Sequence, residues 1–89
     1  MHYVYILECE DGLLYTGCTK DVGARFLTHK SGKGGHYTRS KKPLRVLYTE
    51  ELPDRGTALR REAQIKRWTR KKKLSLIEFG HPDGPVPTH

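Results

Sequence analysis

Residues 3–19, YVYILECEDGLLYTGCT, decide the fold. Two runs rich in β-branched and aromatic residues, YVYILEC and LLYTGCT, flank Glu10-Asp11-Gly12 and read as a β-hairpin. Two turns compete. A two-residue Asp11-Gly12 turn pairs Glu10 with Leu13 and puts Tyr5 and Tyr15 on opposite faces. A three-residue loop with a left-handed Gly12 pairs Cys9 with Leu13 and sets Gly17 directly across from Tyr5. The second is favoured, because glycine inside a strand weakens pairing unless it leaves room for something large, here a phenol. Tyr3, Tyr5, Leu7, Tyr15 and Gly17 then share one face. Cys9 and Cys18 fall on opposite faces, so neither an internal disulfide nor a disulfide-linked partner is expected. Without a nearby His or Cys cluster they form no zinc pattern.

Outward from the hairpin, Thr19 can cap a helix that begins near Lys20 or Asp21, buries Val22 and Phe26, and ends at Gly32 or Gly34. Arg25 and His29, four apart, stand on one face of it. Residues 30–43, KSGKGGHYTRSKKP, form a glycine-rich basic loop that lacks Walker spacing. Leu44 to Glu51 reads as a third strand. A second helix runs from Asp54 or Thr57 to about Thr69 with Ala58, Leu59 and Ile65 on its apolar side. A third, from Arg70 to Phe79, carries Leu74 and Ile77 inward. The domain is assigned to residues 1–79. Residues 80–89, rich in proline and glycine, read as a flexible tail.

Eighty-nine residues suffice for one small core. No apolar run approaches membrane-spanning length and the N-terminus lacks a secretory pattern, so a cytoplasmic protein without membrane association is expected. Seventeen Lys and Arg against ten Asp and Glu give a net charge of +7, which favours polyanionic partners. The distribution sharpens this. Residues 20–47 hold eight basic side chains with Asp21 as the only acid, and residues 55–73 hold nine with Glu62 alone. Two basic blocks of this kind suit a phosphate backbone.

Glu62 lies on or beside the buried stripe of the second helix, where an unpaired carboxylate is costly. Either an ion pair with Lys66 one turn later accounts for it, or it is a divalent-metal ligand at the sheet edge. Arg70, Lys71 and the two lysines after them crowd the positive end of a helix, which helix stability does not explain and an external phosphate would. Lys30, Lys33, Arg39, Lys41 and Lys42 invite the same reading, with Tyr37 available to stack on a base. Two phenols and a glycine on one sheet face, an Arg-x-x-x-His helix and an anomalous helix glutamate together suit phosphodiester cleavage.

At these residues the sequence resembles the GIY-YIG nuclease superfamily, and within it the small single-domain bacterial branch (YhbQ-like). Tyr3-Val4-Tyr5 stands at the GIY element and Tyr15-Thr16-Gly17 at the YIG element, followed by Arg25, His29 and Glu62. The segments YVYIL, LYTG, K-S-G-x-G-x-x-Y-T-R and RREAQIK extend the match over roughly residues 2–78. Tyr3 stands where GIY has glycine, Thr16 where YIG has isoleucine, and an asparagine that some relatives carry has no counterpart after Glu62. The resemblance implies an α+β fold, a three-stranded, mainly antiparallel sheet flanked by about three helices. It also implies a nuclease using one Mg²⁺ or Mn²⁺ held by Glu62. Arg25 would stabilise phosphate charge, Tyr5 would orient or deprotonate water, Tyr15 and His29 would complete the network, and Gly17 would allow close approach. A free phenol ionises near pH 10, so Tyr5 is a general base only if cations lower that value; otherwise His29 is the better one.

The expected partner is DNA, single-stranded or structured for preference given Tyr37 and the basic loop, with RNA also admissible. Lacking a target-recognising domain, the protein should show low sequence selectivity. Two other readings compete: a non-catalytic nucleic-acid-binding module, and a subunit that cuts only with a partner.

Overall fold

The computed structural model describes residues 1–10, 12–30 and 43–80. The basic loop with Lys33, Tyr37, Arg39, Lys41 and Lys42, the helix-ending glycines and the C-terminal tail lie outside the described residues. So does the side chain of His29.

In chain order the elements are β1 (His2–Cys9), β2 (Leu14–Thr19), α1 (Val22–Lys30), β3 (Pro43–Leu52), α2 (Arg55–Lys66) and α3 (Arg70–Phe79). The strands form one antiparallel sheet in the order β2-β1-β3. The hairpin takes the three-residue loop. Gly12 has φ +83°, its N–H donates to the Cys9 carbonyl at 2.8 Å, and the Cys9 N–H donates to the Leu13 carbonyl at 3.0 Å. That loop sets the whole register: Tyr5 pairs with Gly17, Leu7 with Tyr15 and Val4 with Cys18. On the other side of β1, Tyr5 pairs with Thr49 and Ile6 with Tyr48, and irregularities follow Ile6 and Glu8.

Because side chains alternate along a strand, this register gives the sheet two distinct faces. Val4 and Ile6 are fully buried on one of them, against Ala58 and Ile65 of α2 and Leu76 of α3, with Leu14, Cys18, Tyr48, Leu52, Trp68 and Ile77 packed around them. Tyr3, Tyr5, Leu7, Tyr15 and Gly17 occupy the other face, where α1 packs toward β3. Cys9 and Cys18 are both free thiols.

Local chemistry fixes the helix ends. The Asp21 carboxylate accepts from the Ala24 N–H at 3.0 Å, while Thr19, expected as the cap, instead accepts from the Asp21 N–H at 3.2 Å. Asp54 caps α2 by accepting from the Thr57 N–H at 2.7 Å, and this bond holds its carboxyl below the usual range. Helix α2 stops at Lys66 rather than near Thr69. There the chain tightens, with the Trp68 N–H on the Ile65 carbonyl, so that Trp68 reaches the core and Thr69 caps α3. Gly80, at φ +73°, closes α3.

Two residues expected in the core are elsewhere. Leu59 is 43% and Leu74 41% exposed. At about 100° per residue, one position on from buried Ala58 turns Leu59 off the core, and two positions before buried Leu76 puts Leu74 on the far side of α3.

Candidate active site

Strand register brings the first components together. Gly17 faces Tyr5, and a Cβ built on Gly17 would overlap the Tyr5 hydroxyl oxygen and Cζ. The phenol therefore lies across the glycine, in space that any side chain would take. Tyr5 is only 2% exposed. Its ring stands 6.4 Å from that of Tyr15, centroid to centroid, at an interplanar angle of 37°. Two phenols at such separation and tilt pack favourably.

The remaining charges come from helices on opposite faces of the sheet. Burial raises the pKa of Tyr5 well above the ordinary phenol value, Tyr15 and Glu62 raise it further, and Arg25 opposes them. Burial likewise pushes the Cys18 thiol up, with Glu62 acting in the same direction and Arg55 and Arg25 against it. Tyr5 and Cys18 thus each sense Arg25 from α1 and Glu62 from α2.

Glu62 is half-buried, and its partner among the described residues is Lys66, whose Nζ lies 3.6 Å from Oε2. The expected i to i+4 pair is present, but at a length beyond a hydrogen bond. Among the described residues this half-buried carboxylate has no closer donor. Divalent ions suit such a position, since Mg²⁺ is commonly held by one or two carboxylates, with water and substrate phosphate completing its shell. Among the described residues no cluster of three or more His, Cys, Asp or Glu side chains is grouped to hold a metal, and Glu62 is the carboxylate of this centre that could serve as one ligand.

Beside this centre an open cleft of about 500 Å³ runs between the helices, lined by His2, Cys18, Thr19, Lys20, Arg25, Arg55 and Leu59. It contains three cations that the family resemblance did not single out as a group. On α2, Arg55, Leu59 and Glu62 are spaced i, i+4, i+7 and so share one helix face.

The other expected contact residues divide. Lys30 and Lys71 are exposed. Arg70 donates from Nη1 to the Gly12 carbonyl, tying α3 to the hairpin loop, which gives that cation a structural role. Arg61 is likewise occupied: its guanidinium grips Glu50 through Nε at 2.8 Å and Nη2 at 3.1 Å and stacks 5.1 Å from the Trp68 ring centroid. His29 belongs to α1, four residues after Arg25.

The chain is similar to known proteins over most of its length. A family model described as the GIY-YIG catalytic domain matches residues 1–75. A UPF0213 protein of Staphylococcus epidermidis is 47% identical over 79 residues, covering 89% of this chain and 96% of that one. A UPF0213 protein of Staphylococcus aureus is 48% identical over 77 residues, 86% of this chain and 94% of its own. The solution structure of the UPF0213 protein BH0048 from Bacillus halodurans, 48% identical, matches with a TM-score of 0.56 over 86% of this chain and 82% of that one.

Proposed function

The chain belongs to the GIY-YIG catalytic-domain family, and from that membership we propose that it is a divalent-metal-dependent nuclease hydrolysing phosphodiester bonds in DNA. One observation carries the reading: Arg25 and Glu62, from different helices, both act on the buried Tyr5 hydroxyl. Simple nucleic-acid binding needs no lone carboxylate beneath a basic surface.

In this reading Glu62 holds Mg²⁺ or Mn²⁺, which when bound supplies Lewis-acid neutralisation of phosphate charge. Arg25 pairs with the scissile phosphate and stabilises the charge that grows on its oxygens during attack. Tyr5 keeps its proton at neutral pH, because burial and the neighbouring Glu62 disfavour the phenolate. Its hydroxyl then orients the attacking water, and Tyr15 steadies that hydroxyl. His29, one helical turn beyond Arg25, is the better proton acceptor. Gly17, lacking a side chain, leaves the volume that the Tyr5 phenol occupies.

A small domain of this kind contacts chiefly backbone phosphates, so sequence selectivity is low, and single-stranded or structured DNA is the favoured substrate. The test is incubation of the purified protein and of Glu62→Ala with labelled single- and double-stranded DNA in Mg²⁺, Mn²⁺ or EDTA. Cutting by the wild type alone, and only with metal, is expected. Metal-dependent cutting that survives Glu62→Ala overturns the assignment.

A further inference from the structure

We infer that the cleft lined by Lys20, Arg25 and Arg55 binds a second phosphate of the substrate strand, adjacent to the one being cut, with Arg55 and Lys20 as its ligands. The inference rests on the nuclease reading for the identity of the strand, but not for the existence of the anion site.

Three facts carry it. The first is sign: the cleft's charged lining residues are Lys20, Arg25 and Arg55, with His2 beside them, and among the described residues no carboxylate lines it. The second is that these cations are uncompensated. Arg45 pairs with Glu8, Arg61 with Glu50, Lys66 with Glu62, and Arg70 donates to a backbone carbonyl. Lys20, Arg25 and Arg55 are exposed and make no such bond among the described residues. Like charges converging without counterions repel, which an external anion relieves. The third is location. Arg25, assigned to the scissile phosphate, itself lines the cleft, as does Leu59, three positions before Glu62 on α2.

Arg55 also stands at the first position of α2, where a cation opposes the helix dipole and an anion is favoured. Its forked guanidinium suits two phosphate oxygens at once, while Lys20 offers a flexible point charge. A substrate filling both positions must carry at least two consecutive phosphodiesters. Arg55 and Lys20 are therefore positioning residues: they fix the strand, and the reaction proceeds one phosphate away.

The experiment compares wild type with Arg55→Gln and Lys20→Gln on TpT, which has one phosphodiester, and on a longer oligothymidylate. For the oligomer, KM should rise about tenfold in Arg55→Gln with kcat nearly unchanged, the size expected for one charge-assisted phosphate contact. For TpT neither parameter should move. Binding of a fluorescent oligomer in EDTA gives an independent readout. The slope of log affinity against log salt should become shallower by about 0.7 for each cation removed. Equal effects on TpT and the oligomer, or an unchanged salt slope, overturn the second-phosphate site. A wild type that cuts neither substrate with any metal, yet shows the slope change, overturns the nuclease reading and leaves the anion site standing.

Discussion

Tyr5 and Gly17 face each other across β1 and β2, and the phenol of one occupies the volume that a side chain on the other would need. Tyr5 is buried and cannot swing into solvent, so Gly17→Ala forces either the strands or the ring to move. Overpacking of this kind costs roughly 1–3 kcal/mol. The variant should unfold at a lower temperature and lose most cleavage activity. An unchanged melting temperature would show that the ring has free space.

Glu62 should separate chemistry from stability. Its side chain is half-buried with Lys66 at 3.6 Å as its partner, so Glu62→Gln removes a charge without leaving a large cavity. Stability should change by less than about 1 kcal/mol, as for an exposed or loosely formed ion pair. Metal-dependent cleavage should fall by at least about a hundredfold. Denaturant unfolding and single-turnover cleavage on the same preparation check both halves.

The Glu50–Arg61 pair is a clamp between β3 and α2. Two hydrogen bonds join it, the Tyr48 hydroxyl donates to Glu50 at 2.7 Å, and both charged side chains are mostly covered. Arg61→Ala leaves a covered carboxylate without its cation and should destabilise the fold by about 1–3 kcal/mol. Removing both partners should cost less than the two single changes summed. A double-mutant cycle by chemical denaturation measures the difference.

Alkaline pH should expose the buried phenols. Tyr48 is pushed up to about 12, by burial first and then by its bond to Glu50, and Tyr5 is raised further, chiefly by burial. Both are raised in the folded state, so the unfolded chain releases their protons first. Their contribution to stability is complete below the unfolded phenol value near 10 and declines as pH rises toward the folded values. Spectroscopic titration should show phenols that ionise well above the ordinary value, and Tyr48→Phe should flatten the stability loss above pH 10.

How much of this was legible beforehand follows from the range over which each feature is specified. The hairpin was readable in detail because a three-residue loop and strand alternation are local, and together they fix which residues meet Gly17. The bounds of α3 fall at Arg70 and Phe79 as expected, although Thr69 and Gly80, which cap it, were assigned to the preceding helix and the tail. Leu59 and Leu74 were misplaced, since hydrophobicity alone does not say which of several leucines on a short helix turns inward. The Arg61 clamp and the Arg70 contact left no local trace. Each joins segments far apart in the chain, and nothing in a run of basic residues distinguishes a cation held by its own protein from one left for a ligand. The grouping of Lys20 with Arg55 depended in the same way on how the helices flank the sheet.

The bond from Arg70 to the Gly12 carbonyl spans 58 positions and joins the hairpin turn to the last described helix. A ribosome releases Gly12 long before Arg70, and Leu76, which completes the packing beneath the sheet, later still. A two-stranded hairpin alone is marginal in water, so β1 and β2 gain their packing, and the centre around Tyr5 its order, only after the helix that carries Leu76 has been made.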